Sequence, residues 1–190
     1  MSNTNPELPR DRLLETAREL FLRDGVPLTG VNTLTSKANV ARMTLYNNFS
    51  SKDDLVLAVF EREAELRREA IVSTQEDLET PMEKVLAMFS VALELATLKG
   101  FRGCAFVNLA IEAAAPDSAM HKLAKRHKDW IFCNLRTQLA SAGVADPETL
   151  SQQICVLWDG GIVGAYVHQS NAPILAARNA ARTLVRAALL

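Results

Sequence analysis

The chain has 190 residues, 48% of them apolar, with 21 basic and 22 acidic side chains and a formal net charge of −1. That length and composition fit one compact domain, or a small module joined to a larger one, with enough apolar surface for a real core. A near-neutral total names no partner, so charge has to be read locally.

The opening MSNTNPELPRDR lacks the apolar run of a secretory signal, and residues 1–8 are expected to form a mobile tail. The longest apolar stretch, Val156 to Val167, is interrupted by Asp159 and three glycines, too short and too broken to span a bilayer; no membrane partner is expected. Cys104, Cys133 and Cys155 are odd in number and show no CxxC spacing. This argues against a disulfide framework and points to a reducing cytoplasm. His121 and His127 are six apart and share no helix face, so neither a metal nor a cofactor is expected.

Helical spacing runs through almost every segment. Leu13, Ala17, Leu20 and Phe21 predict a first helix that Gly25 stops. Short helices follow over about Val31–Asn39 and Ala41–Asn47. A fourth starts at Ser51 or Lys52, with Ser51 and Asp54 in capping-box spacing, and continues through Leu55 and Val59. Thr80-Pro81-Met82-Glu83 opens a fifth, with proline at the first helical position, and Lys99-Gly100 closes it. The sixth is expected from about Arg102 to Ala114. The seventh runs from about Ser118 to Ser141, the eighth from Asp146 to about Gln169, and the ninth opens at Asn171. No strand alternation and no internal repeat interrupts this pattern. The expected fold is all-α, with about nine helices.

The second and third helices are separated only by Asn39-Val40. A turn that tight often needs a residue at positive φ, and Asn is the best choice after Gly. Helix, turn, helix with a Val just after the turn is a helix-turn-helix pattern, over about 31–50. Between Val26 and Lys52 there is no Asp or Glu, whereas Lys37, Arg42 and Lys52 are basic. Such an acid-free surface suits a phosphate backbone. Arg42, Met43 and Thr44 are placed to reach base edges from the start of the third helix. Tyr46 and Asn47 offer donors to phosphate, Lys52 lies in the first turn of the fourth helix, and Thr29 and Asn32 approach phosphate from the start of the second. A small helical subdomain with a solvated polar face fits the periodicity equally well.

The motif TLYNNFSSKDDL shifts that balance. With Leu14, Ala17, Leu20, Phe21, Gly25, Thr29, Val31, Leu34, Ala38 and Val40, it makes residues 12–55 closely resemble the amino-terminal domain of the tetracycline-repressor (TetR) family of transcriptional regulators. The family usually carries Gly at Asn39, Ser at Ala41, Gly at Met43 and His at Asn47. These departures spare the fold, but no operator sequence follows from the resemblance. The resemblance implies a helix-turn-helix DNA-binding domain over residues 9–53. It implies an effector-binding and dimerisation domain over 54–190, and a homodimer on pseudo-palindromic double-stranded operator DNA.

The remaining residues support that division. Gly160, Gly161, Gly164 and Ala165 cluster in one helix, where glycine allows close approach of a neighbour. Ile154, Leu157, Gly161, Ile162, Gly164 and Ala165, then Leu175, Leu184 and Val185, are expected at a two-fold interface; the alternative is that they fill their own core. Phe89, Phe106, Trp130, Trp158 and Tyr166, with Asn108, His127 and Asp159 as polar anchors, are candidates for an effector pocket, although aromatics at helical spacing also serve as core. The mostly apolar set suits a small hydrophobic or aromatic effector. Phe101 to Asn108 resembles a GCxxxN stretch of one TetR subgroup, some of whose members sense electrophiles or oxidants. Cys104, beside Arg102 and near a helix start, is read as a reactive thiol of that pocket or as an inert buried one.

No Gly-rich phosphate loop, GxSxG or HExxH is present, which leaves no enzymatic motif. A protein-interaction module would carry an acidic or apolar face where Lys37, Arg42 and Lys52 lie. The reading is a DNA-binding transcriptional regulator, most simply a repressor released by a small effector.

Overall fold

The structure is a computed structural model that describes residues 8–113 and 115–189; the expected tail over 1–7 and the expected helix end at Ala114 lie outside the described residues. Among the described residues there are nine α-helices and no strand. They are α1 (Pro9–Asp24), α2 (Val31–Lys37), α3 (Arg42–Asn48), α4 (Lys52–Ser73), α5 (Pro81–Thr97), α6 (Ala105–Glu112), α7 (Ala119–Ser141), α8 (Pro147–His168) and α9 (Ala172–Ala188).

Local chemistry explains the boundaries. Pro9 starts α1 where its missing N–H is harmless, and Gly25 ends it at φ +91°. Asn39 takes φ +51°, so α2 stops at Lys37 and the turn to α3 is made by a left-handed asparagine. The hydroxyl of Ser51 accepts the Asp54 N–H at 3.0 Å. The reciprocal half of that box is absent, because Asp54's carboxylate takes the hydroxyl of Ser50 instead. At α5 both halves form: the Thr80 hydroxyl accepts the Glu83 N–H, and Glu83 accepts the Thr80 N–H at 3.1 Å.

The sixth helix begins three residues later than its sequence pattern suggested. Gly103 sits at φ +79°, outside helical space, and the Asn108 amide donates to the Arg102 carbonyl at 2.9 Å. That pairing fixes residues 102–104 as a turn and leaves Cys104 at the helix N-cap.

Two apolar clusters organise the chain. One joins α1, α2 and α3 to the first half of α4, and draws in Phe106 and Leu109 of α6 with Leu123 and Ala124 of α7. The other packs α5, α8 and α9 with the C-terminal half of α7. Helix α4 is continuous across residue 53. Its Leu55, Val56, Val59 and Phe60 belong to the first cluster and Ile71 to the second. It is therefore a rigid strut between the two.

Between α1 and α4 lies a buried ion cluster. Glu63 has 1% of its side chain exposed and accepts from Arg18 Nε at 2.8 Å while pairing with Arg67 one turn along α4. A carboxylate this deep persists because two guanidinium groups replace its water.

Candidate DNA interface and effector cavity

Helix α3 is anchored by Leu45, which is fully buried. The opposite face is then exposed: Arg42, Met43, Tyr46 and Asn47 point away from the core, and Thr44 is half-buried. Met43 is 67% exposed, a large apolar side chain with no intramolecular partner to explain its position. Arg42 sits over the Tyr46 ring at 5.7 Å, which pre-orders both side chains on one face. Ala41 offers no cap, so the first N–H groups of α3 have no side-chain acceptor. Asn32 and Lys37 of α2 are exposed as well.

One of the expected phosphate contacts is corrected, and another has a tie within the chain. Thr29 is 2% exposed, and its hydroxyl donates to the Gly25 carbonyl at 2.8 Å. It closes the turn after α1 and has no reach to a phosphate. Lys52 also has a partner inside the chain: its Nζ donates to the Val26 carbonyl at 2.6 Å, which leaves the ammonium two further N–H groups. The N–H of the same Val26 donates to Glu112 Oε2 at 3.0 Å. The turn between α1 and α2 is thus gripped from α4 on one side and from the end of α6 on the other. Residues 26 and 112 are 86 apart in sequence, and no local pattern marks that pairing.

A cavity of about 770 Å³ opens beside this joint, large enough for a drug-sized molecule. Its wall runs from α1, through Arg18, to the core side chains Ile71, Phe106, Ile131 and Trp158. Of the expected pocket residues, Cys104, Phe106, Asn108, His127 and Trp158 line it. Phe89, Trp130, Asp159 and Tyr166 do not. Phe89 is core packing, edge-on to Trp158 with ring centroids 5.5 Å apart. Trp130 lies under Arg68 at 5.7 Å, Asp159 is paired with Lys128, and Tyr166 is exposed with its ring edge towards Phe101. Helical spacing gives the face of a residue on its own helix, and the neighbour that seals each face is a tertiary matter. Arg18 and Arg67 of the wall went unnoticed in the sequence; the Glu63/Arg67 spacing of four was the available signal.

His127 is a buried polar residue of the cavity wall. It is 4% exposed and stacked on Phe106 with centroids 3.7 Å apart. Burial, followed by the positive charges of Lys128, Arg68 and Arg67, pushes its pKa down to about 3, so the ring is neutral at physiological pH. Its Nδ1 has no hydrogen-bond partner. Cys104 is half-buried, and it acts electrostatically on the Lys128 ammonium. Burial works against the Lys128 ammonium, yet Cys104 and Asp159 together hold its pKa above the ordinary lysine value. Cys155 differs: burial lifts its pKa to about 11, which makes it a poor nucleophile.

Most of the residues expected at a two-fold interface pack within this chain. Ile154, Gly161, Ile162, Ala165 and Val185 are buried inside this chain. Leu157, Gly164 and Leu184 are half-buried against the same α8–α9 pair. The glycines serve that internal approach: a Cβ on Gly161 would meet Ala177 Cβ at 3.0 Å, and one on Gly164 would meet Pro173 Cβ at 2.8 Å. Leu175 is 44% exposed, together with Val156, Val163 and Val167 on the outer side of α8. Gly160 faces open space on that same stripe.

With this geometry the chain can be set beside known proteins. Residues 13–59, which hold α1, α2, α3 and the first turns of α4, match the family described as bacterial regulatory proteins, tetR family. The whole fold superimposes on a TetR-family transcriptional regulator from Streptomyces coelicolor with a TM-score of 0.91, at 26% identity over 96% of both chains. The amino-terminal unit is that of the TetR family, and the fold is the TetR fold. A relative in sequence is the HTH-type transcriptional repressor DhaR of Mycobacterium sp. (strain GP1), 25% identical over 87% of this chain and 86% of that one. The HTH-type transcriptional activator FasR of Mycolicibacterium smegmatis is 41% identical, but over 59 residues, 29% of this chain and 27% of that protein.

That unit and that fold make this chain a DNA-binding transcriptional regulator rather than an enzyme. Among the described residues, no helix is long and apolar enough to cross a membrane.

Proposed function

We propose that this chain is a cytoplasmic, homodimeric repressor that a small hydrophobic or aromatic effector releases from a pseudo-palindromic operator. The observation that carries the reading is the position of the cavity. It is walled on one side by α1 of the DNA-binding unit and on the others by α4 to α8, so a ligand inside it touches both units at once. Residues 9–53 bind DNA and residues 54–190 hold the effector and the partner subunit. Arg42, Met43 and Thr44 approach base edges, and Tyr46, Asn47 and Asn32 approach phosphates. Similarity to DhaR over most of both chains favours repression, because the likeness to the activator FasR is confined to a short span.

The exposed stripe of Val156, Gly160, Val163 and Val167 on α8, with Leu175 of α9, is the surface for a second copy. In such a dimer the spacing of the two α3 helices is set by how each α4 strut meets its α1. An effector that shifts α4 changes that spacing and weakens operator binding, and by linkage the operator weakens effector binding equally. The test is selection of bound sites from a random duplex library at defined salt, using the purified protein. A recovered pseudo-palindrome supports the reading; no motif at any salt concentration would sink it.

A second route of release runs through Cys104. This thiol lines the cavity at the N-cap of α6, beside the Lys128 ammonium, where an electrophile entering the cavity would meet it. Alkylation of the native protein followed by peptide mapping checks this. A Cys104 that reacts no faster than Cys155 would rule it out.

A further inference from the structure

We infer that the cavity takes an organic anion with an apolar body, its charged oxygens held between Arg67 and His127. This rests on the reading of the cavity as the effector site and names the class of ligand that fits it.

The first observation is a charge imbalance. Glu63 serves two guanidinium groups, Arg18 and Arg67, whose side chains are 29% and 20% exposed. Arg18 also meets Glu15, a carboxylate that is 53% exposed and screened by water. The cavity wall as a whole carries seven basic side chains against two carboxylates, Glu15 and Glu19. Both arginines line the cavity. Low-dielectric surroundings make an unanswered charge costly, and a ligand anion would answer it.

The second observation is independent. His127 lines the same cavity, is 4% exposed, and leaves Nδ1 without a partner. Buried ring nitrogens are normally hydrogen-bonded; this one is unpartnered and itself buried on a residue of the cavity wall, so a ligand atom reaches it through a small rotation of the ring. A neutral imidazole can donate one N–H to an anionic oxygen. The charged groups that bear on this ring are Lys128, Arg68 and Arg67, all positive. Lys128 is answered by Asp159 and Arg68 by the exposed Glu65, which leaves Arg67 as the cation sharing its carboxylate with another.

The apolar part of the remaining wall, which also carries Glu15, Glu19, Arg102 and other charged side chains, suits the rest of the molecule. Ile71, Phe106, Ile131 and Trp158 offer apolar and aromatic surface and no charge. A carboxylate on an aryl or alkyl body satisfies both regions; a cation is repelled by one and a neutral hydrocarbon leaves the arginine unanswered. Binding has a consequence for the fold. Ligand oxygens compete with Glu63 for Arg67, and the Glu63 carboxylate is what ties α4 to Arg18 of α1. The ligand's charge thus acts on the joint that positions the DNA-binding unit.

The test uses the full chain and calorimetric titration with phenylalkanoates of about two to eight methylenes, a span the cavity holds, against the matching phenylalkanols. The acids are expected to bind about tenfold tighter or more, the usual yield of a charge-assisted hydrogen bond. In Arg67→Gln, and separately in His127→Leu, the ratio of acid to alcohol affinity should fall towards one, with thermal melts confirming that each variant folds. Equal binding of acid and alcohol by the unmodified chain overturns the anion and leaves the cavity as effector site. So does an undiminished preference in either folded variant. Binding of neither series overturns the effector reading together with the anion.

Discussion

Val26 is held at both its N–H and its carbonyl by residues from other helices. Glu112 at the end of α6 accepts its N–H at 3.0 Å, and Lys52 at the start of α4 donates to its carbonyl at 2.6 Å. The α1–α2 turn sets where α2 lies, and α2 carries α3. The other end of α6 is Cys104, at the cavity. A displacement of α6 by a ligand therefore pulls directly on the DNA-binding unit, in parallel with any movement of α4. Glu112→Ala should lower the melting temperature by about 3–6 °C, the equivalent of one partly exposed charge-assisted hydrogen bond. It should also weaken operator binding in the absence of effector and shrink the effector's further effect. Melting curves and operator titrations with and without effector check both.

The α3 surface makes a separable set of predictions. Arg42→Ala should alter which base pairs are preferred in a site selection, with a loss of about 1–3 kcal/mol at the position read. Tyr46→Phe removes a hydroxyl that is free to meet a phosphate, so it should weaken all duplexes alike and leave the preference unchanged. Lys52→Met should behave differently from either. Because the ammonium holds the Val26 carbonyl, this change should lower the melting temperature as well as DNA affinity. Equal melting temperatures for Tyr46→Phe and Lys52→Met would show that Lys52 is not a structural tie.

How far these sites could be read from sequence depends on the range of the interaction. The left-handed Asn39, the Ser51 cap and the reciprocal Thr80–Glu83 box all lie within four residues, and local patterning specifies such features. The acid-free span from Val26 to Lys52 was equally visible, and with it the exposed polar face of α3. What that patterning missed came from tertiary choices. Thr29 and Lys52 carry polar groups that either water, phosphate or a carbonyl could satisfy, and only folding brings Gly25 and Val26 to them. Helix α8 is apolar on nearly every side, so its period cannot separate the face against α9 from the face left outside. Glu63 reads as one acid in a charged run, EREAELRRE, and its burial depends on Arg18, 45 positions away.

His127 should leave a signature in the pH dependence of stability. Its pKa is pushed from 6.5 to about 3 by burial and by Lys128, Arg68 and Arg67. Between those values the unfolded chain binds a proton that the folded chain does not. Stability is therefore unaffected by this group above pH 6.5 and falls as pH drops towards 3, with a limiting slope of about 1.4 kcal/mol per pH unit. His127→Gln removes the titrating group, so its stability should decline less steeply over that window. Denaturant midpoints from pH 7 down to pH 4 measure the difference. Parallel curves for the two proteins would mean that His127 takes up its proton in the folded state.

The glycines of α8 test which of its faces meets another chain. Gly164→Val places carbon where Pro173 already stands, 2.8 Å from even the first added atom, so α9 must move and about 1–3 kcal/mol should be lost whatever the oligomeric state. Gly160 has nothing within 4 Å in the single chain. An arginine there should fit a monomer without strain, and the loss of a helix glycine should even raise intrinsic helix stability slightly. At a two-fold interface the same arginine would be buried against its own copy, as would the acid of Val156→Glu. Both variants should then sediment as monomers and bind a single half-site weakly, while their circular dichroism spectra stay unchanged. If Gly160→Arg and Val156→Glu remain dimeric, the outer stripe of α8 is not the contact, and the spacing of the two α3 helices must be set through another surface.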